Sequence, residues 1–316
     1  MSRPPSLPPP GRYTELHKYE NLAGPGDARP TALQIIKGQD LVGKLPPKVA
    51  LVTGVSSGLG IETLKALAAT GATVYGTARD LSKARAALDE TENGDGGQEE
   101  PLATAPNVHL LEMDLTSLDS VRAAAAAFKK RSSRLDILVN NAGVITTRPH
   151  DLVSSIPGSA ARVVKVTSSG HRLQGMNWSD VNFSRPGAYE GYRAYGQSKT
   201  ANILMANGVD RRCGGRIRGY SVHPGTAMTG LQVGVREQME ALRGNEAAWR
   251  TVKSTAQGAA TAVLAAVGRE FEGLGPFYFE DCEVKGEGGG GEAVGGEVGG
   301  EFGDGWVVCR WKRGSN

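Results

Sequence analysis

Tyr195 and Lys199 are the residues in this chain best spaced for proton chemistry. Of the eight tyrosines, only Tyr195 is followed by a lysine four positions later. On a helix that interval puts both side chains on one face. A neighbouring ammonium favours a phenolate and so lowers the tyrosine pKa, which makes the phenol a usable acid or base near neutrality. Tyr-x-x-x-Lys taken alone is equally a chance pattern on a structural helix. Upstream, 163–169 (VVKVTSS) ends an apolar run in hydroxyls. Ser168 there can hydrogen-bond an oxygen on which charge develops, or simply satisfy backbone at a strand end.

A second chemical signal is the glycine-bearing turn TGVSSGLG at 53–60. Gly54, Gly58 and Gly60 lack side chains, Ser56, Ser57 and Leu59 fill the turn, and a helical pattern follows. Backbone amides at a helix N-terminus attract a pyrophosphate, and glycine lets that ligand approach closely. A tight turn with glycines for packing is the plainer reading. Where a dinucleotide site usually carries an acid for the ribose 2′-hydroxyl, this chain has Thr77-Ala78-Arg79. Arg79 and Lys83, four apart at a helix start, can grip a 2′-phosphate, which favours NADP over NAD. An ordinary exposed basic pair would look the same. Asp114 can accept from an adenine amine or neighbour a helix N-cap at Thr116. Asn141, Ala142 and Gly143, in the run NNAG, can tie strands together and shape a cofactor floor, or form a plain turn.

Short β-rich runs alternating with helical patterns must position these groups. The strands are expected at 48–53, 72–77, 108–113, 135–139, 162–167, 217–222 and 276–279. Helices are expected after Gly58 and at 81–88, 117–130, 195–207 and 254–267. The continuous apolar run KVALVT fits a parallel strand covered on both faces. The pattern is an α/β Rossmann-type doubly wound parallel sheet in a single domain. We place a Pro-rich, extended segment at 1–44, the folded domain at 45–282 and a Gly/Glu-rich tail at 283–316. Five prolines fall in the first ten residues, and 11 glycines fall between 286 and 305. Such tracts, and the polar patch at 91–100, have little apolar surface to offset ordering entropy.

A net charge of +3 with no basic face argues against nucleic acid as a partner. No apolar run reaches a membrane span, and no secretory signal is recognisable. Three cysteines without Cys-x-x-Cys spacing fit a reducing, cytoplasmic compartment, and the scattered histidines give no metal site.

Taken in order, TGVSSGLG, TAR, Asp114-Leu115, NNAG, VTSSGH, YGQSK and HPG resemble the short-chain dehydrogenase/reductase family, in its retinol-dehydrogenase-like branch. The resemblance runs from about residue 21 to 282. It implies hydride transfer between NADP(H) and a small-molecule carbonyl or alcohol, with Tyr195 as proton donor or acceptor. It further implies that Lys199 binds the nicotinamide ribose and Ser168 orients the carbonyl. Pro224 and Gly225 would approach the nicotinamide, with Thr229 a pyrophosphate contact. The family also places a long helix, bearing a catalytic asparagine, between the fourth and fifth strands. Here the connection has only 18 residues, 144–161, with Pro149, Pro157 and Gly158 and no asparagine before Asn177. The helix is thus expected to be shortened or missing, through an internal deletion, a splice variant or a mistaken gene model. Loss of that helix weighs against a homo-oligomer through the same face. Two other functions follow from these departures: an NAD(P)-binding protein without turnover, and an interaction protein acting through its tails.

Overall fold

The computed structural model describes residues 11–89, 105–143, 161–227, 229, 240 and 242–285. Strands β1 (Val49–Thr53), β2 (Thr73–Ala78), β3 (Val108–Glu112) and β4 (Ile137–Asn140) are followed by β5 (Ala161–Val166), β6 (Ile217–His223), β7 (Phe277–Glu280) and β8 (Glu283–Val284). They form one sheet in the order β3-β2-β1-β4-β5-β6-β7-β8. Every pairing is parallel except the last, where Phe279 faces Val284 across an antiparallel turn. The chain leaves β1 on one side for β2 and β3, then returns to pair β4 with β1. That reversal opens a crevice beyond the carboxyl ends of β1 and β4, where doubly wound sheets bind ligands.

All five residues of β1 are buried, as a strand covered on both faces requires. Strand alternation divides them: Ala50 and Val52 join one core, Val49 and Leu51 the other. The first core lies under α1 (Ala32–Gly38), α2 (Gly58–Ala69) and α6 (Thr255–Val267). Every residue of α6 from Ala256 to Val267 is buried. Its small side chains let the helix settle against α1, α2 and the sheet together. On the opposite side, α4 (Leu118–Arg131) contributes Phe128, which meets Tyr75 edge-on at 4.9 Å. The 22-residue helix α5 (Gly191–Arg212) packs against β5 and β6. Helix α3 (Leu81–Asp89) follows β2, and a further single helical turn, Glu246–Trp249, precedes α6.

The expected elements are all present with shifted ends, the sheet gains β8 at residues 283–284, expected as the start of the tail, because these pair with β7, and three further details differ. Residues 11–44, expected as extended chain, hold α1, whose Ile35 and Ile36 are fully buried. Thr31 and Gln34 close a reciprocal capping box there, a Thr-x-x-Gln signal legible in TALQ. Helix α4 is capped by Ser117, not Thr116, through the Ser120 amide. Helix α5 begins at Gly191, four residues ahead of Tyr195, because the Glu190 carboxylate accepts from the Tyr192 and Arg193 amides. All of the shortened 144–161 connection but its last residue, the polar 91–100 patch, the Pro-rich first ten residues and the tail beyond 285 lie outside the described residues.

Candidate active site

The glycine turn is fixed from two sides. The amides of Gly54 and Val55 both donate to the Thr77 carbonyl at the end of β2, at 2.9 and 3.0 Å. At the end of β4, Asn141 donates through its side-chain amide to the carbonyls of Thr53 (2.9 Å) and Gly54 (3.2 Å). In return the Thr53 hydroxyl accepts from the amides of Asn141 and Ala142, at 3.1 and 3.0 Å. Asn141 therefore ties β1 to β4, as its residue type suggested. Gly54 and Gly58 have φ of 74° and 63°, the left-handed region that favours glycine. A Cβ on Gly60 would stand 2.1 Å from the Gly54 carbonyl oxygen, so α2 can start this close to β1 only at a glycine.

Ser57 stands at the N-cap of α2 with extended backbone and gives no side-chain cap. The first-turn amides of α2 thus have no capping hydroxyl, and they open beside Gly54 and Gly58. Thr229 lies against this turn, its Cβ 3.3 Å from where a Gly58 Cβ would be. Amide donors and a glycine cradle, with Thr229 alongside, fit a pyrophosphate. Ser56 and Leu59 are half-buried within the turn.

Arg79 and Lys83 are both exposed just past β2, and the Lys83 amide donates to the Asp80 carboxylate at 3.0 Å. Asp114 accepts from the amide and hydroxyl of Thr116, at 2.9 and 2.8 Å. Those bonds, amide first, hold its carboxyl below the usual range, with the Arg79 charge helping. The Asp114 carboxylate thus organises the approach to α4, and Leu115 beside it is half-buried.

Ser168, Tyr195 and Lys199 come together beyond the carboxyl end of β5. The turn after β5 is a single 3-10 turn, Ser169–Arg172, in which the Ser168 hydroxyl accepts from the Gly170 amide at 3.1 Å. That turn sits directly on Tyr195: a Cβ on Gly170 would be 2.8 Å from the phenol ring. The Ser168 side chain stands beside the Tyr195 phenol and favours its charged form. The Lys199 ammonium lies 5.4 Å from the centre of the Tyr195 ring and donates to the Val166 carbonyl at 3.3 Å. It also lies beside Gly143, whose Cβ would stand 3.5 Å away. The NNAG run and the Tyr-Lys pair, over fifty residues apart in sequence, therefore face one another. Pro224 and Gly225 leave β6 half-buried, and a Gly225 Cβ would meet the Lys253 side chain at 2.9 Å.

One expectation is overturned. Lys199 does not lower the Tyr195 pKa here. Burial pushes the phenol above its ordinary value, and Ser168 opposes that only in part. Lys199 is itself brought down to about 8 by burial. The physical reason is shared desolvation: both charged forms lose water, and the ammonium is turned toward a carbonyl instead of the phenol oxygen.

Spacing did not reveal the groups that hold these three. Thr167 donates its hydroxyl to the Lys199 carbonyl at 2.7 Å, and Asn202 donates to the Val166 carbonyl at 3.0 Å. His223, quoted only as part of HPG, accepts from the Ser169 amide at 3.3 Å. A signal existed for Asn202, which lies one turn past Lys199 on the same helix. None existed for His223, whose contact spans 54 residues.

Among known proteins, a family profile described as short chain dehydrogenase matches residues 48–171. A short-chain dehydrogenase/reductase, prx1, from Penicillium rubens is 40% identical over 87% of this chain and 85% of its own length. Human retinol dehydrogenase 11 is 31% identical over 76% of this chain and 79% of its own. A short-chain dehydrogenase from Burkholderia cenocepacia, solved in complex with NADP, superposes with a TM-score of 0.50 at 25% identity, covering 72% of this chain and 94% of that one. With the sheet order, the glycine turn and the Ser-Tyr-Lys cluster all in place, similarity on this scale means that the chain belongs to the short-chain dehydrogenase/reductase family of oxidoreductases.

Proposed function

We propose that this protein interconverts an alcohol and a carbonyl on a small or lipophilic molecule, with NADP(H) as its preferred cofactor. The observation that carries this reading is the meeting of Ser168, Tyr195 and Lys199 beside the NNAG end of the glycine turn. When bound, the cofactor supplies or accepts the hydride. The chain's own residues handle the oxygen. In reduction, Ser168 donates a hydrogen bond to the carbonyl oxygen as charge builds on it, and Tyr195 gives that oxygen a proton. In oxidation the same phenol, deprotonated, removes the hydroxyl proton. Lys199, its ammonium 5.4 Å from the centre of the Tyr195 ring, would hold the nicotinamide ribose.

The cofactor would be held by the α2 amides with Gly54, Gly58 and Gly60, by Asn141, Ala142 and Gly143, and by Pro224, Gly225 and Thr229. Exposed Arg79 and Lys83 support the 2′-phosphate preference, since the residue directly after β2 is Arg79, with Asp80 only beyond it. Among the described residues, no helix is long and apolar enough to cross a membrane. The unpaired Cys213 and Cys282 support a reducing, cytoplasmic setting.

A second reading is nucleotide binding without turnover. It is favoured by one contact: the Lys199 ammonium is engaged by the Val166 carbonyl instead of the phenol oxygen. One experiment separates the two. NADPH is titrated by fluorescence and its oxidation followed against a panel of aldehydes and ketones, for the parent and for Tyr195→Phe. The enzyme reading expects turnover in the parent, none in the variant and equal NADPH binding in both. Binding without turnover in the parent selects the second reading, and an active Tyr195→Phe protein removes the proton-transfer role.

A further inference from the structure

The Ser168 hydroxyl is only as well placed as the turn that carries it, and that turn is gripped from the two strands beyond β5. From β6, His223 reaches under it, 8% exposed, and its Nδ1 accepts from the Ser169 amide at 3.3 Å. With Nδ1 as acceptor, the ring proton sits on Nε2, which looks toward a Glu280 oxygen 3.9 Å away on β7. The other Glu280 oxygen accepts from the Arg172 guanidinium at 2.7 Å and from the Tyr278 hydroxyl at 3.1 Å. His171 closes the circle. Its Nδ1 donates to the Ser168 carbonyl at 2.5 Å, and its ring meets Tyr278 edge-on at 5.4 Å. The turn is therefore pinned at the Ser168 carbonyl, at the Ser169 amide and at Arg172, while its Gly170 face lies on the Tyr195 ring.

We infer that His223 is a positioning residue for proton transfer: accepting at Nδ1, it fixes the Ser169 amide and thereby the Ser168 hydroxyl against the Tyr195 phenol. This rests on the reading of Ser168 and Tyr195 given above. The geometry needs the uncharged ring, because an imidazolium has no acceptor to offer. Its surroundings enforce that form. Burial first, then the nearby Lys253, Arg172 and His171, outweigh Asp281 and bring His223 down to about 3. Space-filling alone does not account for the arrangement, since a leucine would fill the volume and leave the Ser169 amide without its partner.

Two variants of the full chain test this. His223→Asn keeps an acceptor oxygen at the δ position, whereas His223→Leu keeps bulk and removes the acceptor. Positioning expects the Leu variant to lose about tenfold to a hundredfold in kcat, the cost of a small misplacement near the reacting atoms, with NADPH affinity within about twofold of the parent. The Asn variant should recover most of that loss. Leu as active as the parent, or Leu more active than Asn, would overturn the role. Should the parent reduce no carbonyl at all, the enzyme reading fails by itself, and the grip is read directly from ¹⁵N shifts of the labelled imidazole. Nδ1 unprotonated and Nε2 protonated down to about pH 5 is then expected. A doubly protonated ring near pH 6, or the opposite tautomer, sinks the inference.

Discussion

The two halves of the site are made of different materials. The β1–α2 half is backbone: glycines at 54, 58 and 60, uncapped amides at the start of α2, and an Asn141 side chain that bonds to main-chain carbonyls. The β5–α5 half is side chain: a hydroxyl, a phenol and an amine, each held by groups from elsewhere in the fold. Backbone donors cannot titrate, so the first half behaves alike at any ordinary pH and depends only on shape. The second depends on protonation, and burial governs it. Desolvation raises Tyr195 and lowers Lys199 to about 8, so burial works against the charged form of each. A site assembled in this way sets a fixed turn of backbone amides beside a phenol and an amine that are sensitive to whatever charge enters.

Substitutions should break the halves in different ways. The largest effect expected is that of Tyr195→Phe, which should lower kcat by about 10² to 10⁴, the usual scale of general acid–base catalysis, and leave NADPH binding intact. Steady-state rates beside a fluorescence titration measure both, and a weakened titration would mean that the halves are not separable. Next comes Gly60→Ala. Its Cβ would meet the Gly54 oxygen at 2.1 Å and the Asn141 side chain at 2.5 Å, so the turn must shift. A loss of about 1–3 kcal/mol in stability is expected, as for overpacked cores, together with weaker NADPH binding. Thermal melting would read it, and an unchanged Tm would show that the cradle is softer than its geometry implies.

Smaller is the effect of Arg79→Ala, which should weaken NADPH by about tenfold while NADH is unaffected, the difference being one charged hydrogen bond to the 2′-phosphate. Equal losses for both cofactors would remove Arg79 from that role. The smallest is a pH displacement. The Ser168 side chain lowers the Tyr195 pKa against the rise caused by burial. Ser168→Ala removes the lowering contribution, so the phenol titrates higher and the rising, acid-side limb of alcohol oxidation, which needs the phenolate, moves to higher pH. A limb that moves to lower pH would show that Ser168 favours the phenol over the phenolate.

Legibility followed the same division. The glycine turn announced itself because a strand, three glycines and a helix start are all local, and Asn141 belongs to a contiguous run. The Tyr-Lys interval was legible because one helix carries both residues. The direction of the tyrosine shift was misread from it, since spacing shows which charges are neighbours but not how much water each has lost. Helix α1 was also passed over. Its TALQ capping box was in plain view, but the surrounding prolines and glycines suggested extended chain, and only the burial of Ile35 and Ile36 shows that the segment belongs to the core.

By itself the sequence determined the alternation of strands and helices, the glycine turn that leads from the first strand into a helix and the pairing of phenol with amine, because hydrophobic period, glycine and i,i+4 spacing act over short stretches of chain. Only the tertiary structure decided which way Lys199 turns, how dry Tyr195 becomes, and that a histidine at the end of β6 supports the serine turn after β5. Those outcomes depend on contacts between strands far apart in sequence and on the water such contacts expel, and neither is written in any local run of residues.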